Sequence, residues 1–269
     1  MNNNSDKHII ILGAGPAGLS SAYFYNEKGY KVTLIEKSSE IGGLSRGIEF
    51  QNKKYDLGPH SFYSNYQPIT KSIFEKFIGK ENFTEIKTSK LIQSEQVLFQ
   101  SPLKPKDLRN IPNLRFLFSH LFSKINARLA RQNGDTSFES IHGKWALENI
   151  YKPYCNKYFN IDYKEVSDDF VQLLYSNKKE KTKDTILVPN SGYIGILWER
   201  IYDDLKKSNI EIILNDSVQS IQLENNSIIE INTSNRKFTK IHKLISTIPL
   251  SQTYKLIFPD KKYNFNLKT

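Results

Sequence analysis

Six residues, Gly13-Ala14-Gly15-Pro16-Ala17-Gly18, constrain this chain most, because of what stands on either side of them. Before them, His8-Ile9-Ile10-Ile11-Leu12 is a short apolar run rich in β-branched side chains, the pattern of a strand buried on both faces of a parallel sheet. After them, Ala17, Leu19, Ala22, Tyr23 and Tyr25 support a helix from Pro16 to Lys28, which Gly29 stops. Lys31 to Ile35 then reads as a second apolar strand. Strand, helix and strand within about thirty residues form a right-handed crossover with the two strands parallel. The first 36 residues therefore open a doubly wound α/β sheet.

Each glycine in that loop has a physical task. Gly13 permits the tight turn, Gly15 lets a phosphate approach the backbone with no Cβ in the way, and Gly18 lets the helix pack closely on the strand. Pro16 and Ala17 fill the first helical turn. Its free N–H groups carry roughly half a positive charge and suit a diphosphate. Glu36, followed by Lys37, ends the second strand about twenty residues on, where a carboxylate can accept from both hydroxyls of an adenosine ribose. The ligand implied is a dinucleotide, and the acid argues against a 2′-phosphate on its ribose.

Composition removes other functions. The 269 residues are 38 % apolar, enough for one elaborated domain or two modest ones. No run approaches the ~20 apolar residues that cross a bilayer, and MNNNSDK lacks a signal peptide's apolar centre, so a cytoplasmic location is expected. Cys155 stands alone, which excludes an intrachain disulfide and a multi-cysteine metal site and favours a packed side chain over a nucleophile; no metal is expected. The net charge of +10 comes from lysines scattered singly, and Lys178-Lys179-Glu180-Lys181 has no interleaved aromatics, so no nucleic-acid partner is expected.

Beyond Ser61 the character changes. Helical stretches are expected near Ile69 to Ile78, Leu114 to Ala130 and Thr136 to Ile150, the last opened by a capping box of Thr136 and Glu139. An extended pair lies around Leu91 to Phe99. Leu114, Leu117, Leu121, Ile125 and Leu129 repeat at helical spacing, and Arg115, Lys124, Arg128 and Arg131 flank them. Packing onto a neighbouring helix is the reading preferred for that face, with a membrane surface as the alternative. The α/β grammar resumes with a helix at Tyr193 to Lys207 and a strand at Ile210 to Leu214. Alternating strands Val218 to Leu223 and Ile228 to Ile231 follow, then a short strand before Pro249; the tail from Asp260 to Thr269 is polar. The expected domains are 1–61 with 185–269 as one nucleotide-binding unit and 62–184 as a mostly helical substrate or cap insertion.

The segments Ile41-Gly42-Gly43-Leu44-Ser45-Arg46 and Tyr55-Asp56-Leu57-Gly58-Pro59-His60 resemble the FAD-binding signature of the flavin amine oxidase superfamily. There, the ribose-binding acid is followed by GGxxR and then by a DxG turn. Ser101-Pro102-Leu103-Lys104-Pro105 and the helices after it are more similar to the protoporphyrinogen oxidase-like and UDP-galactopyranose mutase-like branch, often associated with polysaccharide biosynthesis. The resemblance implies a Rossmann-type, glutathione-reductase-like FAD domain with an inserted helical substrate domain. It implies that Gly42, Gly43 and Leu44 lie by the cofactor, that Arg46 reaches the diphosphate, that Gly58, Pro59 and His60 run near the flavin, and that Val218 meets the adenine. A guanidinium suits phosphate. His60 admits a structural reading as readily as a catalytic one.

Members of that superfamily normally continue with more substrate domain and a final flavin-binding segment, and this chain ends at Thr269. The expectation is therefore a truncated or split member, completed by a C-terminal companion polypeptide, or a reduced one. Three functions compete: an FAD-dependent oxidoreductase passing a hydride from a small-molecule substrate to flavin N5; a mutase-like isomerase acting on a nucleotide sugar; and a non-catalytic dinucleotide-binding remnant or subunit.

Overall fold

A computed structural model of the chain describes residues 4–58, 60, 62–63, 68–87, 90–94, 97–101, 118, 122, 125–126, 128–129, 144, 147–167 and 185–261. The chain divides into two compact units, Met1–Ile86 with Thr185–Phe265, and Lys87–Asp184 with Asn266–Thr269. The expected capping box at Thr136 and Glu139, the Lys178 to Lys181 cluster, Pro59, and the tail after Lys261 lie outside the described residues.

The first unit opens as its apolar runs dictate: β1 (His8–Leu12), α1 (Pro16–Glu27) and β2 (Lys31–Ile35). A hairpin of β3 (Gly47–Phe50) and β4 (Lys53–Asp56) follows, then β5 (Phe62–Tyr63), α2 (Pro68–Phe77) and β6 (Phe83–Lys87). The second unit contains the hairpin β7 (Lys90–Ser94) and β8 (Val97–Ser101), and a π-helical turn, Leu147–Tyr151, that runs into α3 (Lys152–Phe159). The chain then returns to the first unit with β9 (Thr185–Pro189), α4 (Gly195–Lys206) and β10 (Glu211–Ile213). It finishes with β11 (Val218–Glu224), β12 (Ser227–Thr233), β13 (Lys237–Thr239), β14 (Lys243–Ser246) and α5 (Leu250–Ile257).

Four strands form one parallel sheet in the order β10-β2-β1-β14. Alternation along β1 sends Ile9 and Ile11 to one face and Ile10 and Leu12 to the other. On the first face they meet Leu19 and Ala22 of α1 and Leu197, Ile201 and Leu205 of α4, with Phe74 and Phe77 of α2 in the same cluster. On the second face lie Ile221 and Ile231 of the antiparallel meander β11-β12-β13, with Leu256 and Ile257 of α5 packed against them. A continuous apolar strand is what two covered faces require.

The first unit runs to Ile86, past the boundary expected at residue 61. The reason is packing: Phe74, Phe77 and Ile78 belong to the core of the nucleotide unit, and Phe62 and Phe83 pack on Phe74 with ring centroids 4.9 and 5.8 Å away. In the second unit Cys155 is fully buried beside Leu147, and burial pushes its thiol up from the ordinary value. That is a packed side chain, as the sequence suggests, with little thiolate to react.

Candidate dinucleotide site

The register of the sheet puts Leu12, Ile35, Ile213 and Ser246 level with one another. The loops that leave them, beginning at Gly13, Glu36, Leu214 and Thr247, therefore gather at the carboxyl edge, where open α/β sheets bind ligands.

Gly13 has φ of +96°, and a Cβ there would stand 2.8 Å from Thr247 Oγ1. Thr247 itself donates its hydroxyl to Leu12 O at 2.7 Å and so fastens β14 under the glycine turn. A Cβ on Gly18 would lie 1.8 Å from Gly13 O, so the closeness of α1 to the loop is set by this glycine. Gly15 caps α1, and the helix has no side-chain cap and no acidic residue in its first turn. Pro16 occupies that turn and Ala17 is exposed within it.

The second glycine pair is brought against the first. Gly42 N donates to Ala14 O at 2.7 Å, and a Cβ on Gly43 would stand 3.2 Å from Gly15 Cα. Gly42 and Gly43 both have positive φ, +92° and +53°, in the region that favours glycine. The turn Gly43–Ser45 leaves Leu44 79 % exposed and folds Arg46 back, its Nη1 donating to Gly43 O at 3.0 Å. Arg46 Nε also meets Glu40 Oε2 at 3.0 Å.

Glu36 is half-buried at the same edge. Its Oε2 accepts from Ala14 N at 2.7 Å, and its Oε1 accepts from Ser38 N and Ser38 Oγ, both at 2.9 Å. Asn215 N and Asp216 N donate to Ser38 O and Glu36 O, each at 3.1 Å, so the chain entering β11 at Val218 is tied to the acid loop. Lys37 is exposed beside it.

The third segment is split in its roles. His60 Nε2 lies 2.8 Å from Leu44 O, so this histidine links its turn to the Gly43–Ser45 turn. A Cβ on Gly58 would meet nothing within 4 Å. Asp56 accepts from Ile194 N at 2.8 Å and holds the start of α4, a structural duty. Ser38, Thr247 and Asn215 were not among the site residues read from the sequence; Ser38 could have been found as a turn-forming residue two places after the acid.

Among the described residues no helix is long and apolar enough to cross a membrane, and no group of three metal-ligating side chains forms. The parallel sheet, glycine loop and acid together define an NAD(P)-binding Rossmann-like domain, and the family model of that description matches residues 11–77. The chain is 26 % identical over 160 residues to 1-hydroxycarotenoid 3,4-desaturase of Flavobacterium sp. (strain P99-3), covering 57 % of this chain and 31 % of that one. It is 35 % identical over 74 residues to an L-amino acid oxidase of Crotalus durissus cumanensis, covering 28 % of this chain and 15 % of that one. Its fold matches that of reduced UDP-galactopyranose mutase with a TM-score of 0.71 at 21 % identity, over 96 % of this chain and 58 % of that one. Over residues 11–77 the chain is thus similar to NAD(P)-binding Rossmann-like domains, and the relatives it resembles include a carotenoid desaturase and an L-amino acid oxidase. It spans a third or less of these curated relatives.

Proposed function

We propose that this chain is the dinucleotide-binding part of an FAD-dependent oxidoreductase acting on a small-molecule substrate. The observation that carries the reading is the pressing of Gly43 onto Gly15, with Arg46 turned back onto Gly43 O. Two facing backbones without Cβ atoms, a helix N-terminus and a guanidinium make a cradle for a diphosphate.

Glu36 supports the adenosine end. A carboxylate has about four acceptor positions, and Ala14 N, Ser38 N and Ser38 Oγ take three of those on Glu36. A ribose diol needs two. One hydroxyl takes the free position, and the other displaces Ser38 Oγ, whose single proton then goes to Glu40 O, 2.7 Å away. Val218 follows two residues after Asp216, and the family resemblance gives its backbone to the adenine.

FAD held there supplies a hydride acceptor, and that reactivity is the cofactor's own. The residues of this chain bind and orient; the described ones serve adenosine and diphosphate more than a flavin ring. In this proposal the ring is enclosed by residues other than the described ones, of this polypeptide or of a companion. Gly58, Pro59 and His60 are placed toward the flavin by the family resemblance, with His60 as a positioning residue through Leu44 O. The relatives' names, a desaturase and an oxidase, favour redox chemistry over isomerisation.

The test is direct. Purified chain should bind FAD more tightly than NAD in calorimetry, and tighter NAD binding would overturn the cofactor assignment. Turnover only after dithionite reduction would turn the reading to an isomerase, and flavin bound without turnover, alone or with a companion, to a binding subunit.

A further inference from the structure

Phe118, Phe122, Ile125 and Leu129 are helical and 59, 66, 57 and 55 % exposed. At about 100° per residue, these positions fall within roughly 60° of one another around a helix. Single exposed apolar side chains are ordinary, but four in one stripe mark an interaction surface. Of the five residues expected on the Leu114 to Ala130 face, Ile125 and Leu129 are more than half exposed, and Leu114, Leu117 and Leu121 lie outside the described residues.

The charge beside the stripe points to one kind of partner. Arg128 is helical and exposed. In the sequence, Lys124 and Arg131 stand four before and three after it, the spacing that repeats one side of a helix. From Leu108 to Gly134 there are five Lys or Arg residues and no Asp or Glu, in a chain of net charge +10. An apolar stripe bordered by cations suits a helix lying in the headgroup region of an anionic bilayer, with aromatic and aliphatic side chains in the acyl boundary and basic ones on the lipid phosphates.

We propose that this face of the second unit docks the protein onto an anionic membrane surface, with no segment crossing the bilayer. The proposal stands apart from the dinucleotide site and from any activity there. An acidic protein partner would meet the cations, but nothing in it demands exposed apolar side chains beside them.

The experiment is co-sedimentation of the purified full chain with vesicles of phosphatidylcholine alone and with one third phosphatidylglycerol. Binding is expected on the anionic vesicles and should weaken as salt rises. Phe118→Ser with Phe122→Ser should lower it by about tenfold or more, and Arg128→Gln by about fivefold with the stripe intact. Both variants alter exposed side chains, and circular dichroism checks that they stay folded. Absence of binding to anionic vesicles would overturn the proposal. So would equal binding by wild type and variants, or stripe substitutions that convert a dimer to a monomer and leave vesicle binding unchanged.

Discussion

Arg46 and Glu40 face each other across one turn, with Nε 3.0 Å from Oε2, so the cation suited to a diphosphate already holds a carboxylate. Both side chains reach solvent, at 39 and 66 % exposure, and Glu40 is free to swing away. A diphosphate and Glu40 then compete for the same guanidinium. An exposed ion pair is worth about 0.2–1 kcal/mol, so Glu40→Gln should tighten ADP binding by up to about fivefold in calorimetry. Adding Arg46→Met should abolish that gain. Weaker ADP binding by Glu40→Gln would mean that Glu40 orders the turn and does not compete for it.

Glu36→Ala should weaken ADP and FAD binding more than it weakens the fold. The substitution removes the ribose acceptor and also strands Ala14 N and Ser38 N, which lose their 2.7 and 2.9 Å partners. A hydrogen bond to a charged group contributes roughly 1.5–3 kcal/mol, so a loss of tenfold or more in affinity is expected by calorimetry. An unchanged affinity in a folded variant would remove Glu36 from the site.

The parts legible in the sequence are those encoded by neighbours in the chain. A β-branched run reads as a buried strand, and Gly13, Gly42 and Gly43 mark turns that the structure makes with positive φ. Contacts between distant residues were not legible. Asp56 and Ile194 are 138 positions apart, and no local pattern says that one carboxylate will hold the other's N–H. Thr247 under Gly13 is the same case, because the sheet order that brings β14 beside β1 is a long-range fact. Periodicity set Ile125 and Leu129 on one helical face; whether anything covers a face is decided elsewhere in the chain.

Gly18→Ala should be the most damaging single methyl in the nucleotide unit. Its Cβ would stand 1.8 Å from Gly13 O and 2.9 Å from Gly13 C, both backbone atoms, so no side chain can turn aside. Overpacking typically costs about 1–3 kcal/mol and occasionally more, so thermal unfolding should move down by roughly 2–12 °C. ADP affinity should fall with it, because α1 must tilt away from the loop. Gly58→Ala is the control: open space surrounds its Cβ and Tm should hardly change.

The opposite, amino-end edge of the same sheet carries a pH dependence. His8 Nε2 lies 2.8 Å from Thr33 Oγ1, and that hydroxyl also reaches Glu211 Oε2, at 3.3 Å. Burial lowers the His8 pKa from its ordinary value and Lys31 lowers it further, while Glu211, itself paired with Arg236, opposes them. The folded state therefore binds this proton less readily than the unfolded chain, whose histidine titrates near 6.5. Above that value both states leave His8 neutral, and its contribution to stability is complete. As pH falls from about 6.5 through the lower folded value, the unfolded state takes up the proton first and stability is lost. Urea titrations at successive pH values should show a midpoint that drops across this window, and His8→Gln should flatten the drop. A midpoint in the wild type that stays level or rises as pH falls through the window would show that Glu211 dominates over burial at this histidine.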